Sequence, residues 1–176
     1  MKMQSAIDAR TYRTDLLVNN KLAFDSILIG EITKASHKAE KQGKTLALRL
    51  NGTSDVFFGH IYAMFPTVQF YEYTKLKKHA KLLQAYDNVH ITFSRSEVTK
   101  VSTINSLMNR GINVAVVFTK EVPTFYQGIP VIDGDKHDRR FEDEKGRIIG
   151  LKLKGTKISK GHAINTGFSV TETVGV

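Results

Sequence analysis

Arg49, Asn51, Thr53, Ser54 and Asp55 crowd the end of an apolar run in "LALRLNGTSDVFF", residues 46–58. Such a run reads as a buried strand. So much hydrogen-bonding capacity at its end marks a binding or active site. Further strand-like runs end the same way, in "FYEYTK", "FSRSE", "FTKE" and "IDGDKHDRR". Arg49, Lys75 and Arg95 could hold a phosphate or carboxylate, and an arginine can fork onto two oxygens. Backbone N–H groups at helix starts near Ser54 and Ser96 would add to an anion site. Gly52 would let a ligand approach the backbone. Tyr71 and Tyr73 share one face of their strand and could stack on a base or sugar, or pack under a helix. Glu97 or Asp55 could serve as acid and base. Ser54, Asp55, Ser94 and Ser96 also read as ordinary helix caps. Capping does not account for Arg49, Asn51, Arg95 or Lys75.

Two other groups carry chemistry by type. Asp133, Asp135 and Asp138, with His137 beside them, are hard-metal ligands, so a divalent metal is one expectation for this segment. The spacing matches no specific metal motif, and Asp-Gly-Asp between two strand-like runs is more often just a turn. Lys75, Lys77, Lys78, His79 and Lys81 form a basic cluster, and Lys145, Arg147, Lys152, Lys154, Lys157 and Lys160 form another with no acidic residue among them. Both suit phosphate contacts to a nucleic-acid backbone. Lysines on an edge strand also guard against aggregation.

Composition bounds the alternatives. The 176 residues suit one domain with a real core, 1–176. Lys and Arg number 26 against 17 Asp and Glu, a net charge of +9 that favours polyanionic partners. Cysteine is absent, which excludes disulfides, thiolate zinc sites, cysteine nucleophiles and a Cys-ligated iron–sulfur cluster. The N-terminus has no apolar signal-like region, and no apolar run approaches the ~20 residues of a membrane span. A cytoplasmic protein is expected. No phosphate-binding loop, dinucleotide GxGxxG or nucleophile elbow is present.

The elements that must position these residues alternate. Residues 20–42 have helical spacing and stop at Gly43. "KTLALRLN" is a strand and "SDVFFGHIYAMF" a short helix capped by Ser54 or Asp55. "TVQFYEY" is a strand, "KLKKHAKLLQAY" a helix and "NVHITFS" a strand. "SEVTKVSTINSLMNRG" is a helix capped by Ser94 or Ser96 and stopped at Gly111. "INVAVVF" is a strand apolar enough to be covered on both faces. Strand then helix recurs with a period of about 22 residues, the spacing of βα units with short loops. The expected fold is α/β: an open parallel sheet or partial βα barrel of about four βα units (residues 20–120), then a β-rich C-terminal segment (121–155). Strand-like runs there fall at 129–132 and 147–153, with a turn at Glu144–Gly146. Residues 156–176 read as a loose tail. In a parallel sheet, ligands bind beyond the carboxyl ends of the strands. Arg49 should therefore be buried and meet either a carboxylate (Asp55, Glu97 or Asp133) or the ligand itself.

"LALRLNGTSDV", "VQFYEYTK", "NVHITFSRSE", "NVAVVF", "IPVIDGDKHDRRFED" and "IIGLKLKG", in this order, resemble a family of bacteriophage and plasmid proteins, the gene product eighty-eight type of mycobacteriophages. The resemblance covers residues 7–169. It implies a partial βα barrel distantly similar to radical-SAM-type phage proteins. It also implies one site comprising Arg49, Asn51, Ser54, Asp55, Tyr73, Lys75, Ser94, Ser96, Glu97, Asp133, Asp135 and Asp138. Many members begin with a Cys-containing segment that this chain lacks, so iron–sulfur chemistry is not carried over.

The leading expectation is a phage- or plasmid-type nucleic-acid-binding protein, favouring single strands, in replication or host takeover. An enzyme on a phosphorylated or nucleotide substrate is the first alternative. An inhibitor of a host protein is the second.

Overall fold

The computed structural model describes residues 2–171, with side chains from residue 5 onward. The sequence reads as one domain; the chain divides into two compact units, Met1–Leu46 and Ala47–Val176. The first holds α1 (Lys2–Asn19) and α2 (Lys21–Lys41), which pack on each other. Asn20 separates them, and its side chain accepts the Ala23 N–H at 3.2 Å as the cap of α2. Gly43 follows α2 with φ +61, the left-handed stop its position predicts. The periodicity reading finds α2 but misses α1, whose spacing gives it no strong apolar stripe. No helix among the described residues is long and apolar enough to cross a membrane.

The second unit is built on an eight-stranded, mostly parallel sheet. Its strands are β1 (Ala47–Leu48), β2 (Gln69–Thr74), β3 (Val89–Ser94), β4 (Asn113–Phe118), β5 (Phe125–Tyr126), β6 (Ile129–Asp133), β7 (Ile148–Lys152) and β8 (Ser169–Val170). The order is β1-β2-β3-β4-β7-β6-β5, with β8 also on β4. All pairings are parallel except β5 with β6. The carboxyl ends of β1–β4, β6 and β7 therefore share one edge, as the βα alternation predicts. Between the first four strands run α3 (Gly59–Met64), α4 (Lys77–Leu83) and α5 (Val101–Met108). β4 is central and buried at nearly every position. Its neighbours Ile148, Ile149, Phe93 and Ile91 complete the core with Ile104 and Leu107 of α5.

Four local readings are corrected. The strand expected over 44–51 is only two residues long, because from Arg49 onward the backbone bonds to side chains rather than to a ladder. Ser54 and Asp55 do not cap α3, which starts at Gly59 behind Phe58. Ser94 and Ser96 do not cap α5, which starts at Val101 behind Lys100; the Ser96 N–H bonds instead to Thr99 Oγ1 at 2.9 Å. Residues 157–170, expected as loose, hold α6 (Lys157–Asn165) and β8. Residues 172–176 of that segment lie outside the described residues.

β8 enters where the sheet forks. β3 and β4 pair as far as Ser94 and Ala115, and beyond that point β4 takes β8 as its neighbour at Val117 and Phe118. The two faces of the sheet are covered differently. Phe70, Glu72 and Thr74 of β2 face α3, where the Tyr62 and Phe70 rings meet edge-on at 4.9 Å. Tyr71 and Tyr73 face the crossover 134–147 that joins β6 to β7, with Phe141 5.7 Å from Tyr71.

Candidate functional site

The polar cluster after β1 is largely a self-contained loop. Asn51 accepts the Val56 N–H at 2.9 Å and donates to the Val56 carbonyl at 2.9 Å, so its amide closes the loop as a strand pair would. The Ser54 hydroxyl donates to the same amide oxygen at 2.8 Å. The anchor is Glu72, 1% exposed, whose carboxylate accepts the N–H groups of Leu50 (2.9 Å) and Asn51 (3.2 Å) and the Tyr62 hydroxyl (3.1 Å). Burial pushes the Glu72 carboxyl up, against the opposing pull of those three donors. The Tyr62 hydroxyl is pushed up as well, by its own burial and then by the Glu72 charge. Sequence reading missed Glu72. Its signal was an acidic residue at an inward position of an otherwise buried face.

Asp55 sits at the mouth of this loop. Its carboxylate accepts the Thr74 hydroxyl at 2.7 Å and the Lys75 N–H at 2.9 Å, and lies 3.1 Å from His79 Nδ1. It thus ties the loop to β2 and α4. His79, read only as part of a basic run, becomes half of a carboxylate–imidazole pair. Glu97 lies exposed in the turn after β3, outside that pair.

On the opposite face Arg49 is half-buried, with 28% of its side chain exposed, rather than fully buried. Its guanidinium lies 4.4 Å from the centre of the Tyr73 ring. Nε donates to the Asn51 carbonyl at 3.1 Å, and Nη1 is 3.7 Å from Asp138, a carboxylate not among the predicted partners. The Tyr73 hydroxyl reaches Asp138 at 3.4 Å. Burial is the main reason that hydroxyl is pushed up to about 12, partly offset by the Arg140 charge. Each tyrosine ring already has a neighbour: Tyr71 packs on Phe141 and Tyr73 lies under Arg49.

Lys75 projects past β2, with its ammonium 5.5 Å from the Phe168 ring centre. Arg95 is occupied: Nη1 donates to the carbonyls of Gly167 (3.0 Å) and Phe168 (2.9 Å), which secures the turn before β8. Ser94 faces the same side as Tyr73, at the fork. Lys77, Lys78 and Lys81 are exposed on α4, and with Lys75 their ammonium groups have no carboxylate partner among the described residues. Half of the second basic group is neutralised in place. Arg147 pairs with Glu144, Lys152 with Glu121 at 2.8 Å and Lys154 with Asp135 at 2.7 Å. Lys157 opens α6 and is exposed.

The three aspartates expected as metal ligands point to different partners. Asp133 accepts the Asp135 N–H at 3.0 Å, Asp135 holds the Lys152 N–H and Lys154, and Asp138 faces Arg49. Burial acts to raise the Asp135 carboxyl, but those bonds and the two lysine charges outweigh it and hold it below the usual range. Among the described residues, no group of three or more His, Asp or Glu is arranged to hold a metal ion.

Beneath the crossover lies a residue that sequence reading passed over. Arg140, 1% exposed, pairs with the buried Asp143 at 3.3 Å and donates to the His137 carbonyl. Nothing in "DRRFED" separates it from its exposed neighbour Arg139.

The fold defines a mixed α/β protein whose mostly parallel sheet gathers its strand carboxyl ends along one edge. The family model described as Gene product 88 matches residues 2–169, and the chain belongs to that family. No curated protein and no solved structure matches it.

Proposed function

We propose that the carboxyl edge of the sheet binds nucleic acid, favouring single strands, in the service of replication or host takeover by a mobile element. One observation carries this reading. Lys75, Lys77, Lys78 and Lys81 place four ammonium groups in seven residues beside that edge, with no carboxylate partner among the described residues. Cations left unpaired are the ones that release counterions on meeting phosphates. Arg147, Lys152 and Lys154 already hold carboxylates and add less. Arg49 supplies a stacking surface in place of the tyrosines. One side of its guanidinium lies on Tyr73, and the exposed part can receive an unpaired base. Phe168 under Lys75 offers a second apolar surface. The test is fluorescence anisotropy with labelled single- and double-stranded oligonucleotides across a salt series. Tighter single-strand binding that weakens as salt rises supports the reading. Absence of binding at low salt ends it.

A second reading, catalysis on a phosphorylated or nucleotide substrate, is favoured by the Asp55–His79 pair. With Nδ1 facing the carboxylate, Nε2 is the nitrogen free to exchange a proton with substrate. Turnover of phosphate esters that disappears in a folded His79→Gln variant supports it, and a wild-type protein without turnover removes it.

A further inference from the structure

We propose that a cleft at the amino ends of β3 and β4 binds a phosphate group, either as the free ion or as the terminus of a phosphomonoester. This edge is opposite the lysine cluster, so the inference stands independently of the nucleic-acid reading. The cleft has a volume of about 140 Å³, and Gln84, Tyr86, Asp87, His90, Arg110 and Lys145 are among its lining residues. A cavity of about 150 Å³ accepts a six-membered ring, whereas whole small-molecule sites occupy roughly 300–1,000 Å³. The space therefore suits a five-atom oxyanion and leaves any attached group outside.

The charge in the lining favours an anion. Arg110 follows α5 and Lys145 lies on the crossover, so two separate elements bring cations to one mouth. Neither has a carboxylate partner among the described residues. Gly111, with φ +74, makes the left-handed turn beside Lys145, whose Cβ stands in ordinary contact distance of that position, 3.7 Å from where a Gly111 Cβ would lie. Gln84 Nε2 donates to the Arg110 carbonyl at 2.7 Å, which removes one acceptor from the site. Asp87, exposed at the rim, is the one carboxylate in the lining. His90 closes the inner side, and its Nε2 is buried without a hydrogen-bond partner. Behind it Arg140 adds positive charge, partly balanced by Asp143.

His90 also provides the readout. Burial first, and then the charges of Lys145 and Arg140, push its imidazole down to about 4. A bound phosphate would offset both charges and offer an acceptor to the protonated ring, and so raise that value.

The experiment follows the His90 ring resonances of the full chain by NMR over a pH titration. His90→Gln assigns the signals. Inorganic phosphate is compared with chloride at matched ionic strength. The expected result is a rise of about one to three pH units in the His90 midpoint with phosphate, the usual effect of a close opposite charge. The rise should be absent in Arg110→Gln/Lys145→Gln, whose substitutions are exposed and whose fold the same spectra verify. Titrations unchanged by both inorganic phosphate and a 5′-phosphorylated dinucleotide overturn the proposal, as does a rise that persists in the double variant. A dinucleotide with a 5′-phosphate, compared with its 5′-hydroxyl form, identifies the source. A rise with the phosphorylated form alone assigns a phosphomonoester terminus, and a rise with inorganic phosphate alone assigns the free ion.

Discussion

Arg49 lies 4.4 Å above the Tyr73 ring, with Asp138 3.7 Å from its guanidinium. The ring and the carboxylate together account for an arginine at this strand end: Tyr73 lies under the guanidinium and Asp138 steadies its edge. Because Asp138 is 64% exposed, the pair behaves as a surface ion pair, worth about 0–1 kcal/mol. Arg49→Ala should therefore cost roughly 1 kcal/mol in a urea melt and weaken single-strand binding more than double-strand binding. A loss of several kcal/mol would show that Arg49 is chiefly structural.

Glu72 faces donors only: two backbone N–H groups and a hydroxyl. Glu72→Gln turns one acceptor into a donor and sets it against another donor. It should destabilise the protein by about 1–3 kcal/mol, the cost of leaving buried polar groups unmatched. Equilibrium unfolding measures this directly. A neutral result would mean that the loop 49–58 does not depend on the carboxylate.

His90 makes stability depend on pH. Its midpoint falls from 6.5 to about 4 on folding, so between those values the unfolded chain binds more protons. Its contribution is fully present above about pH 6.5 and is lost as pH falls toward about 4. Urea melts at several pH values should show this decline, and His90→Phe should flatten it in that window. Parallel curves for the two proteins would contradict the assignment.

The Arg140–Asp143 pair holds the crossover over the face carrying Tyr71, Tyr73 and His90. Removing one partner leaves the other charge buried. Asp143→Asn should cost about 3–5 kcal/mol, whereas the exposed Arg139→Ala should change stability little. Thermal melts of the two variants test the contrast.

The sequence made some of this legible and hid the rest for physical reasons. Period and turn chemistry located β2, β3, β4, β6 and β7, with the stops at Gly43, Gly111 and Gly146, because strand alternation and left-handed turns are local properties. The short β1 was overextended, since an apolar run does not tell a ladder from backbone bonded to a distant side chain such as Glu72. The pairing of β8 with β4 depends on the fork after Ser94, which no local pattern records. At the candidate site, residue types were informative and partners were not. Arg95 read as a ligand clamp, yet it holds the carbonyls of Gly167 and Phe168, more than seventy positions away. Tyr73 read as a stacking face or a packed ring, and one of its faces holds Arg49. Asp55 and His79 are 24 positions apart and meet only because α4 follows β2 directly.

The most direct measurement of the central claim is the salt slope of single-strand binding, compared between the wild-type chain and Lys75→Gln/Lys77→Gln/Lys78→Gln/Lys81→Gln. Each phosphate contact on a single strand contributes about −0.7 to the slope of log K against log salt. Loss of all four contacts should reduce the magnitude of the slope by about 3. An unchanged slope and affinity in the quadruple variant would contradict the assignment of the carboxyl edge as the nucleic-acid interface.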